Sequence, residues 1–220
     1  MRNRYRLAAT AAALLLLLAN CHAQEQSDPP PLDPLSNMLL SEQELDAILA
    51  PTKVTQTYTY RKLIDRREGE SYSPPECMVV AANTMTEDFA TSDLVDVRGA
   101  VLDPDTDINL EIDQGVIRFD TPDSARAHLA ATVQRWKGCA GVGLTITRKD
   151  RSPWQLTMGV PMTTDGVDFV DVVSDSPVGY VSTHAMRVAG DVLSDLRASH
   201  RDVNGHAVAL VNAIANRNRL

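Results

Sequence analysis

Cys77 and Cys139 constrain this 220-residue chain more than any other feature. Joined, they close about 62 residues into one loop and oblige the fold to bring its two ends within bonding distance. In the chain-entropy account such a loop stabilises the folded state by up to ~4 kcal/mol. Whether they join depends on compartment, and the start of the chain speaks to that. Arg2, Arg4 and Arg6 precede an uninterrupted Leu, Ala and Thr run from Leu7 to Leu18. A dozen apolar residues fall short of the ~20 that cross a bilayer as a helix. The run has no polar face, which argues against a buried core helix. A short greasy run behind a basic cluster is an export signal, here residues 1–20, and export leads to oxidising surroundings.

Two cleavage sites compete. Leu18-Ala19-Asn20-Cys21 resembles a bacterial lipobox, in which Cys21 would be lipidated and become the new N-terminus. Asn20 departs from the small residue usual before that cysteine. Alternatively, ordinary cleavage falls after Ala23, with Cys21 and Ala23 as the small-x-small site. The first leaves the protein on the outer face of the cell membrane, held there by a lipid anchor, and the second secretes it. Gln24 to Pro34, with Asp28-Pro29-Pro30-Pro31, reads as a solvated, semi-extended tether. The expected organisation is therefore a signal at 1–20, a spacer at 21–37 and one domain at 38–220.

The whole chain carries 21 basic and 29 acidic residues. Without residues 1–20 the balance is 18 to 29, a net charge of −11, so the mature domain does not seek nucleic acid through its overall field. With Cys21 lipidated or cleaved away, Cys77 and Cys139 remain as an even pair. No C-x-x-C occurs and no histidine lies within a few residues of either, which favours a structural disulfide over a redox or metal-binding pair.

The pattern along the mature chain predicts alternating blocks of strands and helices. Ser41 with Glu44 makes a capping box, Leu40 can staple onto Leu45, and Pro51 ends the helix. Val54 to Tyr60 reads as a strand, residues 61–75 as an exposed loop, and Met78 to Ala90 as a helix. A strand is expected over 94–102. Ile108, Leu110 and Ile112 alternate with polar residues, and Val116 to Phe119 continue the sheet after a turn at Gly115. Thr121, Pro122 and Asp123 open the clearest helix, whose Ala125, Leu129, Val133 and Trp136 share one face. Cys139 lies three residues beyond Trp136, on the core side. Strands follow over 142–148, 154–160, 167–173 and 191–198, and Asn204-Gly205 precedes a last helix with Ala207, Leu210, Val211 and Ile214 buried. Strands in runs between helices give an α+β class, a central antiparallel sheet packed with helices in one domain.

Motifs for chemistry are sparse. Asp103, Asp105 and Asp107 with Glu111 suggest calcium, but an EF-hand loop beginning at Asp103 meets Ile108 and Gln114 where Gly and Glu belong. Gly138, Gly141 and Gly143 follow a helix and precede a strand, the reverse of a phosphate loop. The histidines at 22, 128, 184, 200 and 206 have no ligand spacing, and no nucleophile motif occurs. No catalytic residue, cofactor or metal site is expected.

The order Leu39-Leu40-Ser41, Leu45-Ile48-Leu49, Pro74-Pro75-Glu76-Cys77, Phe119 with Ala125 and Ala127, and above all Trp136-Lys137-Gly138-Cys139-Ala140-Gly141 resembles the PknH-like extracellular sensor domain family over roughly residues 38–217. That domain stands outside the membrane in certain mycobacterial receptor kinases and, without a kinase, in lipoproteins. The resemblance implies a central antiparallel sheet, a Cys77–Cys139 bond and a polar cleft proposed to bind a ligand. Members often hold a second disulfide near the C-terminus, whereas residues 140–220 here contain no cysteine. The expected function is a non-catalytic domain binding a small molecule or an envelope component, with ligand-binding residues unassigned. The alternatives are a module docking on envelope partners such as a receptor kinase, and an envelope-polymer hydrolase.

Overall fold

Ten antiparallel strands in one sheet organise the molecule in a computed structural model describing residues 33–104, 110–149, 151–175, 181–200 and 206–218. The signal, Cys21, most of the spacer, Asp105, Asp107, Ile108 and Asn204-Gly205 lie outside the described residues. The strands are β1 (Val54–Tyr60), β2 (Ser71–Ser73), β3 (Leu94–Pro104), β4 (Glu111–Phe119), β5 (Gly143–Thr147), β6 (Trp154–Met158), β7 (Met162–Thr164), β8 (Val167–Ser174), β9 (Val181–Ala189) and β10 (Val192–His200). The helices among the described residues are α1 (Glu42–Leu49), α2 (Met78–Ala81), α3 (Pro122–Cys139) and α4 (His206–Arg217). The strand order is β1-β3-β4-β10-β9-β8-β6-β5-β2, with β7 paired to β8. This is the α+β class, a single domain with one disulfide among the described residues.

Each face of the sheet carries its own core. On one face Leu45, Leu49, Leu210, Val211 and Ile214 of α1 and α4 pack on Leu102, Ile112 and Leu196. On the other, Val79, Val80, Ala125 and Trp136 of α2 and α3 pack on Ile117, Met186 and Leu193. The α1 cap forms as expected, with the Ser41 N–H donating to Glu44 Oε2 at 2.9 Å. Thr121 Oγ1 accepts the Ser124 N–H at 3.1 Å and starts α3. Cys77 and Cys139 are bonded, with their Cα atoms 5.6 Å apart. Trp136, 0 % exposed, sits beside this brace and donates its indole N–H to the Val79 carbonyl at 3.0 Å.

Several expectations are corrected. The packed chain begins before residue 38, because Leu35 is buried and Asp33 accepts from Arg61 and Arg98. The expected helix over 78–90 stops at Ala81. Its backbone is drawn elsewhere: Thr84 adopts φ +51° and donates its N–H to Asp195 Oδ2 at 2.9 Å, while Ile64 pairs with Thr84 and Thr86. The 61–75 segment is not simply exposed, since Glu70 and Tyr72 are buried and β2 forms within it. Gly115 is no turn but the middle of β4, opposite Gly99. A Cβ on Gly99 would lie 1.9 Å from the Tyr60 ring, and one on Gly115 would lie 2.4 Å from Thr84 Cγ2. The glycine pair is the seat for Tyr60. On α3 the buried face runs through Ala125, His128, Thr132, Trp136 and Cys139, with Leu129 and Val133 only half-buried. β9, central in the sheet, was not expected as a strand.

Candidate functional site

Opposed residues on antiparallel strands share a sheet face. One such row runs Tyr58, Val101, Asp113, Arg197 across β1, β3, β4 and β10. It continues to His184 of β9 and lies on the face that α2 and α3 cover further along. Where those helices end, the sheet is open, and a cleft of about 640 Å³ forms over it. Tyr58 of β1 and Tyr72 of β2 both line it, although these strands end opposite margins of the sheet. The sheet therefore curls until its margins flank one cavity, as the strand twist of so long a sheet permits.

One lip is made by two abutting turns. Glu70 donates its N–H to the Arg67 carbonyl at 3.0 Å, and Arg151 to that of Arg148 at 3.4 Å. Gly69, at φ +74°, leaves room for Lys149, whose Cβ would stand 3.3 Å from an added methyl. Between the turns, Arg148 Nε donates to Glu70 Oε1 at 2.9 Å and the Tyr72 hydroxyl donates to the same oxygen at 3.1 Å. The Glu70 side chain is 5 % exposed, so this carboxylate is a buried anchor for the guanidinium. Burial, with the Glu70 charge adding to it, pushes the Tyr72 hydroxyl up to about 12.

The floor is polar at one side and apolar at the other. Asp113 is buried and accepts the Tyr60 hydroxyl at 2.8 Å. Burial raises its carboxyl to about 6, against the lowering influence of Arg197 and of the Tyr60 hydrogen bond. The Tyr60 hydroxyl is itself raised well above its ordinary value by burial and by the Asp113 charge. Arg197 pairs with Glu111 and donates to Ser199 Oγ at 3.1 Å. Ile146, Leu156 and Val172 form the apolar side, with Trp154 at its edge donating to Ser174 Oγ at 2.7 Å.

Beneath α3 lies a second polar group. His184 Nε2 is 2.6 Å from Asp195 Oδ1, and both side chains are 1 % exposed. The pair has the look of the base and orienting acid of a hydrolase. However, the other ring nitrogen, Nδ1, faces the Val80 carbonyl at 3.2 Å, not a hydroxyl or thiol. A ring whose two nitrogens both meet acceptors holds its neighbours in place and has no position left for a nucleophile. The Trp136 ring, with its centroid 4.8 Å away, closes it from solvent.

The other residues singled out by sequence are scattered. His128 stacks on Phe89 at 4.3 Å, and His206 opens α4. Asp103 accepts from Thr57 Oγ1 at 3.0 Å while Glu111 pairs with Arg197, so those two carboxylates serve separate partners.

A family model described as the PknH-like extracellular domain matches residues 30–217. The chain belongs to this family. It is 25% identical over 221 residues to the serine/threonine-protein kinase PknH of Mycobacterium bovis, covering 93% of this chain and 36% of that protein. It is 24% identical over 171 residues to the kinase PknJ of the same species, covering 76% of this chain and 27% of that protein. The chain thus spans about a third of the curated relatives it matches. The crystal structure of the extracellular domain of PknH from Mycobacterium tuberculosis superposes with a TM-score of 0.79 at 21% identity, covering 87% of this chain and 98% of that one. That likeness establishes the fold of the PknH-like extracellular domain. Among the described residues, no helix is long and apolar enough to cross a membrane.

No motif in the sequence marked the cleft residues. Arg148, Arg151 and Glu70 sit in turns that read as solvated charge, and only the ladder register brings Asp113 opposite Arg197. The one local hint is Tyr58 in β1, an aromatic side chain left exposed where it lines the cleft.

Proposed function

We propose that this chain is an exported, non-catalytic ligand-binding domain of the cell envelope. It is carried on the outer face of the membrane by a lipid on Cys21, and its cleft takes a small molecule or envelope component. The observation that carries the reading is the cleft itself. An open cavity of about 640 Å³ holds two arginine–glutamate pairs already assembled, Arg148 with Glu70 and Arg197 with Glu111, at its walls. A ligand meeting such oriented groups loses less entropy than one that must order them. The volume suits a small organic ligand or one segment of a polymer.

The family supports an extracellular placement, since its kinase members carry this domain outside the membrane as a named extracellular domain. The anchor rests on the Leu18–Cys21 pattern and the proline-rich tether that follows. Mass spectrometry of the mature N-terminus tests it: acylated Cys21 supports the anchor, and a Gln24 start replaces it with secretion. The non-catalytic reading rests on the enclosed His184–Asp195 pair, whose ring nitrogens, among the described residues, meet a carboxylate and the Val80 carbonyl and no nucleophile. A thermal-shift screen of the folded protein with peptidoglycan fragments and envelope glycolipids tests ligand binding. Stabilisation that disappears in Arg148→Ala supports the cleft; uniform silence from a folded protein removes it.

A further inference from the structure

Resting on that cleft reading, we infer that the ligand is an anionic amphiphile: an oxyanion head held by arginines, with an apolar body laid against the half-exposed apolar side chains of the cleft. The charge inventory of the cleft carries this. Among the described residues it is lined by Arg67, Arg148, Arg151 and Arg197 and by no lysine, in a chain whose acidic residues outnumber its basic ones 29 to 21. Arginine presents a planar fork of donors that matches phosphate, sulfate or carboxylate, which a lysine ammonium does not.

The carboxylates of the same cleft are already occupied. Glu70 accepts from Arg148 and Tyr72, and Glu111 is paired with Arg197. Asp65 accepts from Thr86 Oγ1 at 2.8 Å and faces Lys62, while buried Asp113 accepts from Tyr60. Among the described residues the guanidinium groups of Arg67 and Arg151 have no partner, and both project from the two abutting turns of one lip. The surplus at that lip is positive. Arg148 also lines the cleft, with its Nε committed to Glu70, which fixes the plane of its guanidinium.

The same cleft is lined by Ile64, Ala82, Val101 and Trp154, each only half-buried, whereas Ile146, Leu156 and Val172 are already buried in the core. A small inorganic anion would satisfy the lip and leave these half-buried apolar side chains wet; a neutral lipid would cover them and leave the lip unused. Only a molecule with both parts uses the whole site. The same oxyanion head can be that of a membrane lipid or of a soluble phosphorylated amphiphile.

The chain provides its own reporter. Of its two tryptophans, Trp136 is enclosed in the core and Trp154 lines the cleft. Emission from Trp154, assigned by its loss in Trp154→Phe, is titrated with dioctanoyl phosphatidic acid, dioctanoyl phosphatidylcholine, octyl glucoside and inorganic phosphate. The inference expects the phosphatidic acid to bind at least tenfold more tightly than the zwitterionic and neutral amphiphiles, and phosphate alone to bind weakly. Arg67→Ala/Arg151→Ala should weaken the phosphatidic acid about tenfold at an unchanged melting temperature, since both side chains are exposed. A second arm offers long-chain phosphatidic acid in phosphatidylcholine vesicles. Binding there as well as to the dispersed form assigns a membrane source, and binding to the dispersed form alone assigns a soluble one. Equal response to all three amphiphiles, unaltered in the double variant, overturns the anionic class and leaves the cleft standing as a binding site. No response to any of the four probes also overturns it, and the broader envelope screen then decides the cleft reading separately.

Discussion

The same face of one sheet is used in two ways. Under α3 it is apolar and braced: Trp136 is enclosed, the Cys77–Cys139 bond ties the short helix α2 to the end of α3, and the polar pair inside is closed off. Beyond the end of α2 it is open, and the side chains there are arginines, carboxylates and aromatic rings at a cavity. A single cross-strand row passes from one region to the other, from Tyr58 through Asp113 and Arg197 to His184. The two regions share one backbone framework, since both rest on antiparallel ladders of one sheet. They differ in what covers them. Core packing and the covalent brace are concentrated beneath the helix, and the polar groups that a ligand can reach stand on strands continuous with that braced half.

Substitutions in the two halves should therefore separate stability from binding. The largest effect belongs to Trp136→Ala, which empties a fully buried indole site and strands the Val79 carbonyl. A loss of about 3–5 kcal/mol is expected by urea denaturation. Paired Cys77→Ser/Cys139→Ser should cost about 2–4 kcal/mol, most of it through the unfolded chain, so its signature is a lowered midpoint with native-like circular dichroism. Gly99→Ala is next, at about 2–3 kcal/mol, because the methyl group would occupy the position of the Tyr60 ring. Displaced Tyr60 also leaves Asp113, so this is the one scaffold substitution expected to alter the cleft floor.

Asp113→Asn should act through pH. Its carboxyl is raised to about 6 in the fold from an ordinary 3.8. Between those values the folded chain keeps a proton that the unfolded chain has released, so this group's contribution to stability falls as pH rises from about 4 to about 6 and is level above. The variant should match the native protein near pH 4 and exceed it by up to about 2 kcal/mol at pH 7.5, read as the difference between two melting curves. The smallest effect on stability belongs to Arg148→Ala. It leaves the Tyr72 hydroxyl as the donor to Glu70 and should cost about 1 kcal/mol, with a far larger effect on ligand affinity.

Features fixed by residues close together in the chain were legible in the sequence. The capping residues Ser41, Glu44 and Thr121 act locally, and a cap formed by residues three apart can be read without knowing the fold. The W-x-x-C end of α3 and the cysteine pair were readable for the same reason, that few arrangements satisfy them. Features fixed by partners across the sheet were not. β9 begins Val181-Ser182-Thr183-His184, whose polar residues suit a loop in isolation; they are buried because Asp195, Asp171 and Ser199 lie across the ladder as partners. The helix expected over 78–90 has the composition for it, but Asp195, more than a hundred residues away, takes the Thr84 N–H out of any helical ladder. Glu70 and Arg148 are 78 positions apart, and nothing local announces that they will meet.

Hydrogen exchange with and without dioctanoyl phosphatidic acid tests the division of labour most directly. The account predicts that α3 and the central strands β4, β9 and β10 exchange slowly in both states, while the 67–70 and 148–151 turns exchange quickly alone and slow markedly with the lipid. Protection that grows across α3 with no change in those turns would contradict it, because the ligand would then be acting on the half of the sheet that the helix and its disulfide close off.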